Sequence, residues 1–186
     1  MKNYKQAGFN RPVSFTIYFK MIKIKNPFTE MGARHDYNCF GCSPFNEIGL
    51  QLEFWENGDE LRATWQPRKS LEGWGNVVHG GIQAALLDEL AGWIVLIKMK
   101  TSGVTSALNV KYIKPVNISK GEITIKGKLV STDKKLATIS ASLFDGDGIE
   151  CATAEIIYFC LPENIAKAKY HYPGHHAFYD DTNSQQ

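Results

Sequence analysis

The chain has 186 residues, 44% of them hydrophobic and 12% aromatic, with 21 Lys or Arg against 19 Asp or Glu and a formal net charge of +2. That length fills one core and favours a single domain over two, and so even a charge balance gives no general argument for a nucleic-acid partner. Four cysteines in an otherwise ordinary globular composition do not make a disulfide scaffold, which points to a reducing, cytoplasmic setting.

Residues 1–36 are expected to form an N-terminal extension, mixed in character and punctuated by Pro12, Pro27 and Gly32. Its first 25 residues hold six Lys or Arg and no acid, the composition of a solvated terminus rather than an anion-binding arm. Within it "VSFTIYF" is too short and too broken by polar residues for a secretory signal. The main domain, residues 37–162, opens beside "HDYNCFGC", which carries His35, Cys39 and Cys42. A Cys-x-x-Cys can hold zinc or exchange thiols, but a closed zinc site needs four ligands and no second such motif exists. Cys151 and Cys160 lie nine residues apart in one strand-like run and so face opposite sides of a sheet. Packing and turn roles are therefore expected for Cys39 and Cys42, and no metal.

Residues 49–66 read as a hairpin turning at Asn57-Gly58-Asp59, with Leu61, Ala63 and Trp65 alternating with polar residues. A loop (67–76) and a long helix follow, with Gly103 expected where helices often end. Four strands are predicted next, over 104–114, 121–131, 135–145 and 149–160, from alternating β-branched residues and short Pro, Gly, Asn or Asp breaks. "KGEITIKGK" (120–128) resembles a phosphate loop only superficially, because the glycine spacing is wrong and the segment has a strand pattern. "FDGDG" (144–148) suits a hairpin turn far better than a calcium loop. Residues 163–186, rich in His and Tyr without a clear period, are expected to be a packing arm or disordered, with histidines that bind no metal.

The helix carries the chemistry. From Ile82 to Ile97 apolar residues cover nearly every face, and Gln83, Asp88 and Glu89 are the clearly polar interruptions. Such a helix belongs inside a fold; its length and central charges argue against a membrane span. Buried acids need partners or a task. At the helix start, after His79, Gly80 and Gly81 leave room for close approach where free N–H groups and the helix dipole converge, a ready site for an oxygen that becomes an oxyanion. Gly81 and Asp88 project to nearly the same side but stand about 10 Å apart along the axis, and Glu89 points about 100° away. One carbonyl cannot touch both in a single chain. Two antiparallel copies of the helix across a twofold axis would bring the start of one to the middle of the other, so function requires a homodimer.

Two strands, a long helix and four strands joined by connections too short for parallel crossovers predict an α+β architecture, a central helix wrapped by a curved antiparallel β-sheet: the shape of the hotdog fold. "NCFGCSPFNEIGL", "GNVVHGGIQAALLDELAGW" and "VTSALNVKYIKPV" resemble the hotdog-fold acyl-CoA thioesterases, specifically the PaaI-like branch, over roughly residues 37–160. The resemblance implies that the His79 segment opens the central helix, that a backbone N–H there, assigned to Gly81, polarises a thioester carbonyl, and that Asp88, nine residues after His79, acts as general base or nucleophile. Thr105 would assist the acid or a water. Gly80, Asn76, Ser106, Lys111 and Lys114 complete the implied substrate-binding set, the lysines toward nucleotide phosphates. Some relatives carry an amide residue where this chain has Gly73, which leaves Asn76 as the nearer candidate. The implied partner is an acyl-CoA, with pantetheine threading between subunits of a homodimer that can pair into a tetramer. Coenzyme A enters as part of the substrate, so no cofactor is implied, and neither nucleic acid nor membrane is a partner. A non-catalytic acyl-CoA-binding protein would also keep the glycines, though Asp88 argues against it. Hotdog hydratases and dehydratases place their His and acid in other motifs.

Overall fold

The computed structural model describes residues 20–30 and 37–180; His35 and most of the predicted N-terminal extension lie outside the described residues. The strands are β1 (Ile22–Ile24), β2 (Glu53–Asn57), β3 (Glu60–Trp65), β4 (Gly103–Tyr112), β5 (Ile123–Asp133), β6 (Leu136–Phe144) and β7 (Glu150–Cys160), with helix α1 (Gly80–Ile94) between β3 and β4 and helix α2 (Glu163–Tyr170) after β7. They form one sheet in the order β1-β2-β3-β5-β6-β7-β4, antiparallel at every pairing. The sheet packs around α1, which meets β3, β4, β5, β6 and β7. This is the hotdog architecture that the element order predicts.

Alternation explains the packing. Along β7, Ala152, Ala154, Ile156, Tyr158 and Cys160 are buried at every second position, because successive side chains of a strand point to opposite faces. Leu86, Leu87, Leu90, Ala91 and Ile94 of α1 fill the space against that inner face. Cys151 is buried on the other face of β7, its thiol 3.8 Å from the Pro115 carbonyl, as the odd spacing from Cys160 requires.

Three details differ from the sequence expectations. The β2–β3 hairpin turns on Gly58-Asp59, flanked by the Asn57–Glu60 pair, because Gly58 takes the left-handed position (φ 61°) at the first residue of a two-residue turn. The helix does not end at Gly103. It closes in a π turn (Val95–Met99) with Lys100 left-handed, and Gly103 opens β4 because a Cβ there would stand 2.8 Å from the Phe159 carbonyl oxygen. Counting that turn, Gly80–Met99 runs 20 residues at a mean hydropathy of 1.4, long enough to cross a membrane by length and composition. Half of it is buried inside this fold, and that packing accounts for the apolar surface. The third difference is β1, which pairs Ile22–Ile24 with Phe54–Glu56 inside the stretch read as an extension.

Through Asp180 the tail takes the first of its two expected forms, a packing arm. Beyond α2 a short 3₁₀ turn, His175–Phe178, follows, and Tyr172 and Phe178 join the core. Phe178 sits edge-on to Trp93 at 5.8 Å and Phe28 at 6.0 Å, while Trp93 stacks on Phe54 at 4.4 Å. The Phe178 carbonyl accepts the Lys25 N–H at 2.9 Å. Phe178→Leu should lower unfolding stability by about 1–2 kcal/mol, the range for a reshaped core contact, read as a lower urea midpoint with an unchanged slope.

Candidate active site

The loop before α1 is braced at both ends. Val78 donates to Val116 and His79 to Leu71, and Asn76, held at φ 64°, gives Nδ2–H to Ser119 Oγ (2.9 Å) and accepts the Ser119 N–H at 3.0 Å. Both ends of that amide are engaged in supporting the 117–120 segment, which accounts for Asn76 structurally. Gly73 packs directly against His79, where a Cβ would lie 3.2 Å from the His79 Cα.

His79 caps α1. Its Nδ1 accepts the Gly81 N–H at 2.9 Å, which in the neutral ring leaves the proton on Nε2 as an outward donor. The donor assigned to Gly81 is thus already engaged. Gly80 makes no N–H hydrogen bond among those of the described residues, while its carbonyl accepts the Tyr112 hydroxyl at 2.8 Å. Tyr112 therefore clamps the helix start to β4 and leaves the Gly80 N–H as the open donor. A cavity of about 550 Å³ lies here, lined by His79, Gly80, Gln83, Trp74, Tyr112 and Lys114 among others. Gln83 is buried and gives Nε2–H to the Val78 carbonyl at 2.9 Å, but its Oε1 has no partner. A polar interruption in an apolar helix was the only sequence sign of it. Lys114 lines this cavity; Lys111 is exposed on β4.

Asp88 occupies a different place. Thr105 Oγ1–H donates to Asp88 Oδ1 at 2.8 Å, and the Tyr158 hydroxyl lies 3.1 Å from the same oxygen and 3.0 Å from the Asp88 carbonyl. The β4–β7 pairing slips by one residue between Thr105 and Ala107, so Ser106 is the extra residue of a bulge, a device that re-aims a neighbouring side chain. Ser106 itself is exposed beside Thr105. Both hydroxyls engage Oδ1, leaving Oδ2 open to accept a proton. Burial, with the Asp88 charge beside it, pushes the Tyr158 hydroxyl well above the ordinary tyrosine range, so it stays a neutral donor. Tyr158 was not singled out from sequence, although strand alternation put it on the inner face. Removing its hydroxyl in Tyr158→Phe strips one of two donors from the carboxylate and should lower kcat about tenfold with little change in KM, measured by steady-state turnover.

Glu89 turns elsewhere. Its carboxylate accepts the Trp93 indole N–H at 3.1 Å and lies 3.7 Å from Cys39 Sγ, and burial raises it to about 7. The two aspartates of "FDGDG" are committed to a turn: Asp145 accepts the N–H groups of Asp147 and Ile149, and both acids pair with Lys120.

Comparison with known proteins decides the family. A family model described as the thioesterase superfamily matches residues 75–152, from the braced loop through α1 to β7. A Saccharolobus solfataricus protein provisionally named an esterase is 31% identical over 112 residues, 59% of this chain and 72% of the relative. The chain belongs to the thioesterase superfamily. Among solved structures, a thioesterase protein of Streptococcus pneumoniae with coenzyme A aligns at a TM-score of 0.53 and 21% identity, covering 56% of this chain and 83% of its own. A Streptococcus mutans protein bound to acetyl-CoA aligns at 0.57 and 16%, covering 69% and 96%. At these identities the two structures speak for the fold. The matched span, residues 75–152, contains both places described above, the open end of α1 and the hydroxyl-held Asp88.

Proposed function

We propose that this superfamily member hydrolyses acyl-CoA thioesters to a free acid and coenzyme A, in a homodimer whose two sites each take groups from both subunits. The observation that carries the reading is the Asp88 carboxylate, fixed through Oδ1 by Thr105 and Tyr158 with Oδ2 open. An oriented carboxylate of this kind serves as general base for water or as nucleophile. The open Gly80 donor lies at the other end of the helix segment, about 12 Å along the axis, beside a cavity with Lys114 at its wall. Neither half suffices alone.

The second subunit is argued from β4. This ten-residue strand lies at the end of the sheet order, and its residues from Val104 to Asn109 are exposed. A long, partly apolar edge invites pairing, and an isologous β4 contact is compatible with antiparallel helices that place one helix start near the partner's Asp88. In the resulting site the Gly80 N–H, with Gly81 and His79 beside it, stabilises the oxyanion formed as water or Asp88 adds to the thioester carbonyl. As general base, Asp88 takes a proton from the attacking water, and collapse of the intermediate breaks the C–S bond and returns that proton to the departing thiolate, giving coenzyme A and the free acid. With Asp88 as nucleophile, collapse leaves an acyl-aspartyl anhydride that water then hydrolyses to the free acid, the same water supplying the thiol proton. Lys114, just past the end of β4, and Lys111 within it face phosphates of the bound nucleotide. That acetyl-CoA and coenzyme A occupy two structures of this fold supports the substrate class.

Turnover of an acyl-CoA panel, followed by a thiol-reactive dye, tests the reading. Release of stoichiometric coenzyme A is the expected result; acyl-CoA binding without release would make the chain a binding protein and overturn it.

A further inference from the structure

A second cluster of reactive side chains lies one residue beyond Asp88, and its members come from two distant parts of the chain. Cys39 and Cys42 belong to the loop before β2, while Glu89 comes from the middle of α1. The two thiols are 3.3 Å apart, and the Glu89 carboxylate oxygens lie 3.7 and 3.8 Å from Cys39 Sγ. All three ligand atoms fall within 4.8 Å of one another. They line a cavity of about 340 Å³, and all four cysteines of the chain are free thiols. We propose that Cys39, Cys42 and Glu89 form a binding site for a divalent cation of the zinc class.

The loop is shaped for this purpose. Gly41 stands where a side chain cannot: a Cβ there would sit 2.1 Å from the Glu89 carboxylate carbon and from Oε2. Its absence lets the acid rest against the Cys-x-x-Cys turn. The Trp93 indole N–H holds Glu89 Oε1 at 3.1 Å, the kind of outer hydrogen bond that orients a ligating carboxylate.

Distances and donor types select the ion. Around a tetrahedral zinc, two sulfurs at about 2.3 Å from the metal stand about 3.8 Å from each other, and a sulfur and a carboxylate oxygen slightly less. The cluster meets the second spacing and needs the sulfurs to part by about half an ångström for the first. Two sulfur donors exclude the hard, oxygen-seeking magnesium and calcium. Three protein ligands leave a fourth coordination position unfilled by the cluster, and the Tyr37 hydroxyl, 2.8 Å from Cys42 Sγ, lines the same cavity. The sequence pointed away from a metal because two cysteines do not make a site. The third ligand lies 50 residues from Cys39 and becomes visible only through the fold.

Cobalt provides the test, and because its readout is the metal's spectrum rather than turnover, its outcome is independent of the thioesterase reading. The reduced, chelator-stripped full-length chain should take up one cobalt(II) per chain, with thiolate-to-cobalt charge transfer and the ligand-field bands of a tetrahedral ion. Zinc should displace it. In Cys39→Ser/Cys42→Ser both signals should vanish. In Glu89→Ala the charge transfer should persist with affinity weakened about tenfold or more. Circular dichroism and sizing must show each variant folded. Uptake by the stripped wild type no greater than by the double serine variant would overturn the proposal, and so would cobalt affinity unchanged in Glu89→Ala.

Discussion

Asp88→Asn should lower kcat by about a thousandfold or more while leaving the fold and coenzyme A binding near wild type. The rate estimate follows from what a positioned general base contributes, about 10² to 10⁴. The substituted amide keeps an oxygen that can accept from Thr105 and Tyr158, which now hold the carboxylate, so packing around it survives. What disappears is the carboxylate oxygen Oδ2, the proposed proton acceptor. Single-turnover kinetics with enzyme in excess over acyl-CoA, together with displacement of a fluorescent coenzyme A analogue, would separate chemistry from binding. The assignment fails if Glu89→Gln kills turnover and Asp88→Asn does not.

The second large effect belongs to the helix start. Gly80→Pro removes one backbone N–H and should reduce kcat about a hundredfold, the usual cost of one oxyanion donor. Proline suits this position. It is the first residue of α1, where a missing N–H costs the helix nothing, and His79 before it already has the extended backbone (ψ 135°) that a following proline requires. A Cβ at Gly80 meets nothing closer than 3.5 Å. Gly81→Pro should be worse for the fold, because it also breaks the cap from His79 Nδ1. Mixing the two variants tests the shared site. Homodimers of Asp88→Asn or Gly80→Pro should each be nearly inactive. A mixed dimer has one site with both groups intact, so about half the wild-type rate per dimer should return. A folded mixed dimer as inactive as its parents would show that the two groups do not meet across an interface.

The sheet and helix were legible because period-two alternation and a helix apolar on nearly every face leave few ways to pack. What escaped the sequence was set by contacts between distant segments. Gly103 resembles a helix stop locally, yet its smallness serves the Phe159 carbonyl in the adjacent strand. Ile22–Ile24 is too short to show a period and becomes a strand only because β2 offers an edge. Around the candidate site, the pairing of Thr105 with Asp88 was foreshadowed by the family resemblance rather than by the strand pattern. Tyr158 was not, because half of a strand's residues face inward and nothing in the sequence says which one meets an acid. The engagement of Gly81 by His79 is a rotamer choice that spacing cannot express.

The seating of Phe178 between Trp93, Phe28 and Tyr172 has a bearing on how the chain matures during synthesis. The helix that carries Trp93 leaves the ribosome roughly 80 residues before Phe178 does, at translation speeds of about 5–20 residues per second. For several seconds the growing chain must shield an aromatic pocket whose own plug is still being made. A nascent-chain chaperone, or early pairing between chains along β4, would have most to protect in that interval, and shortening the chain before Phe178 would make the exposure permanent.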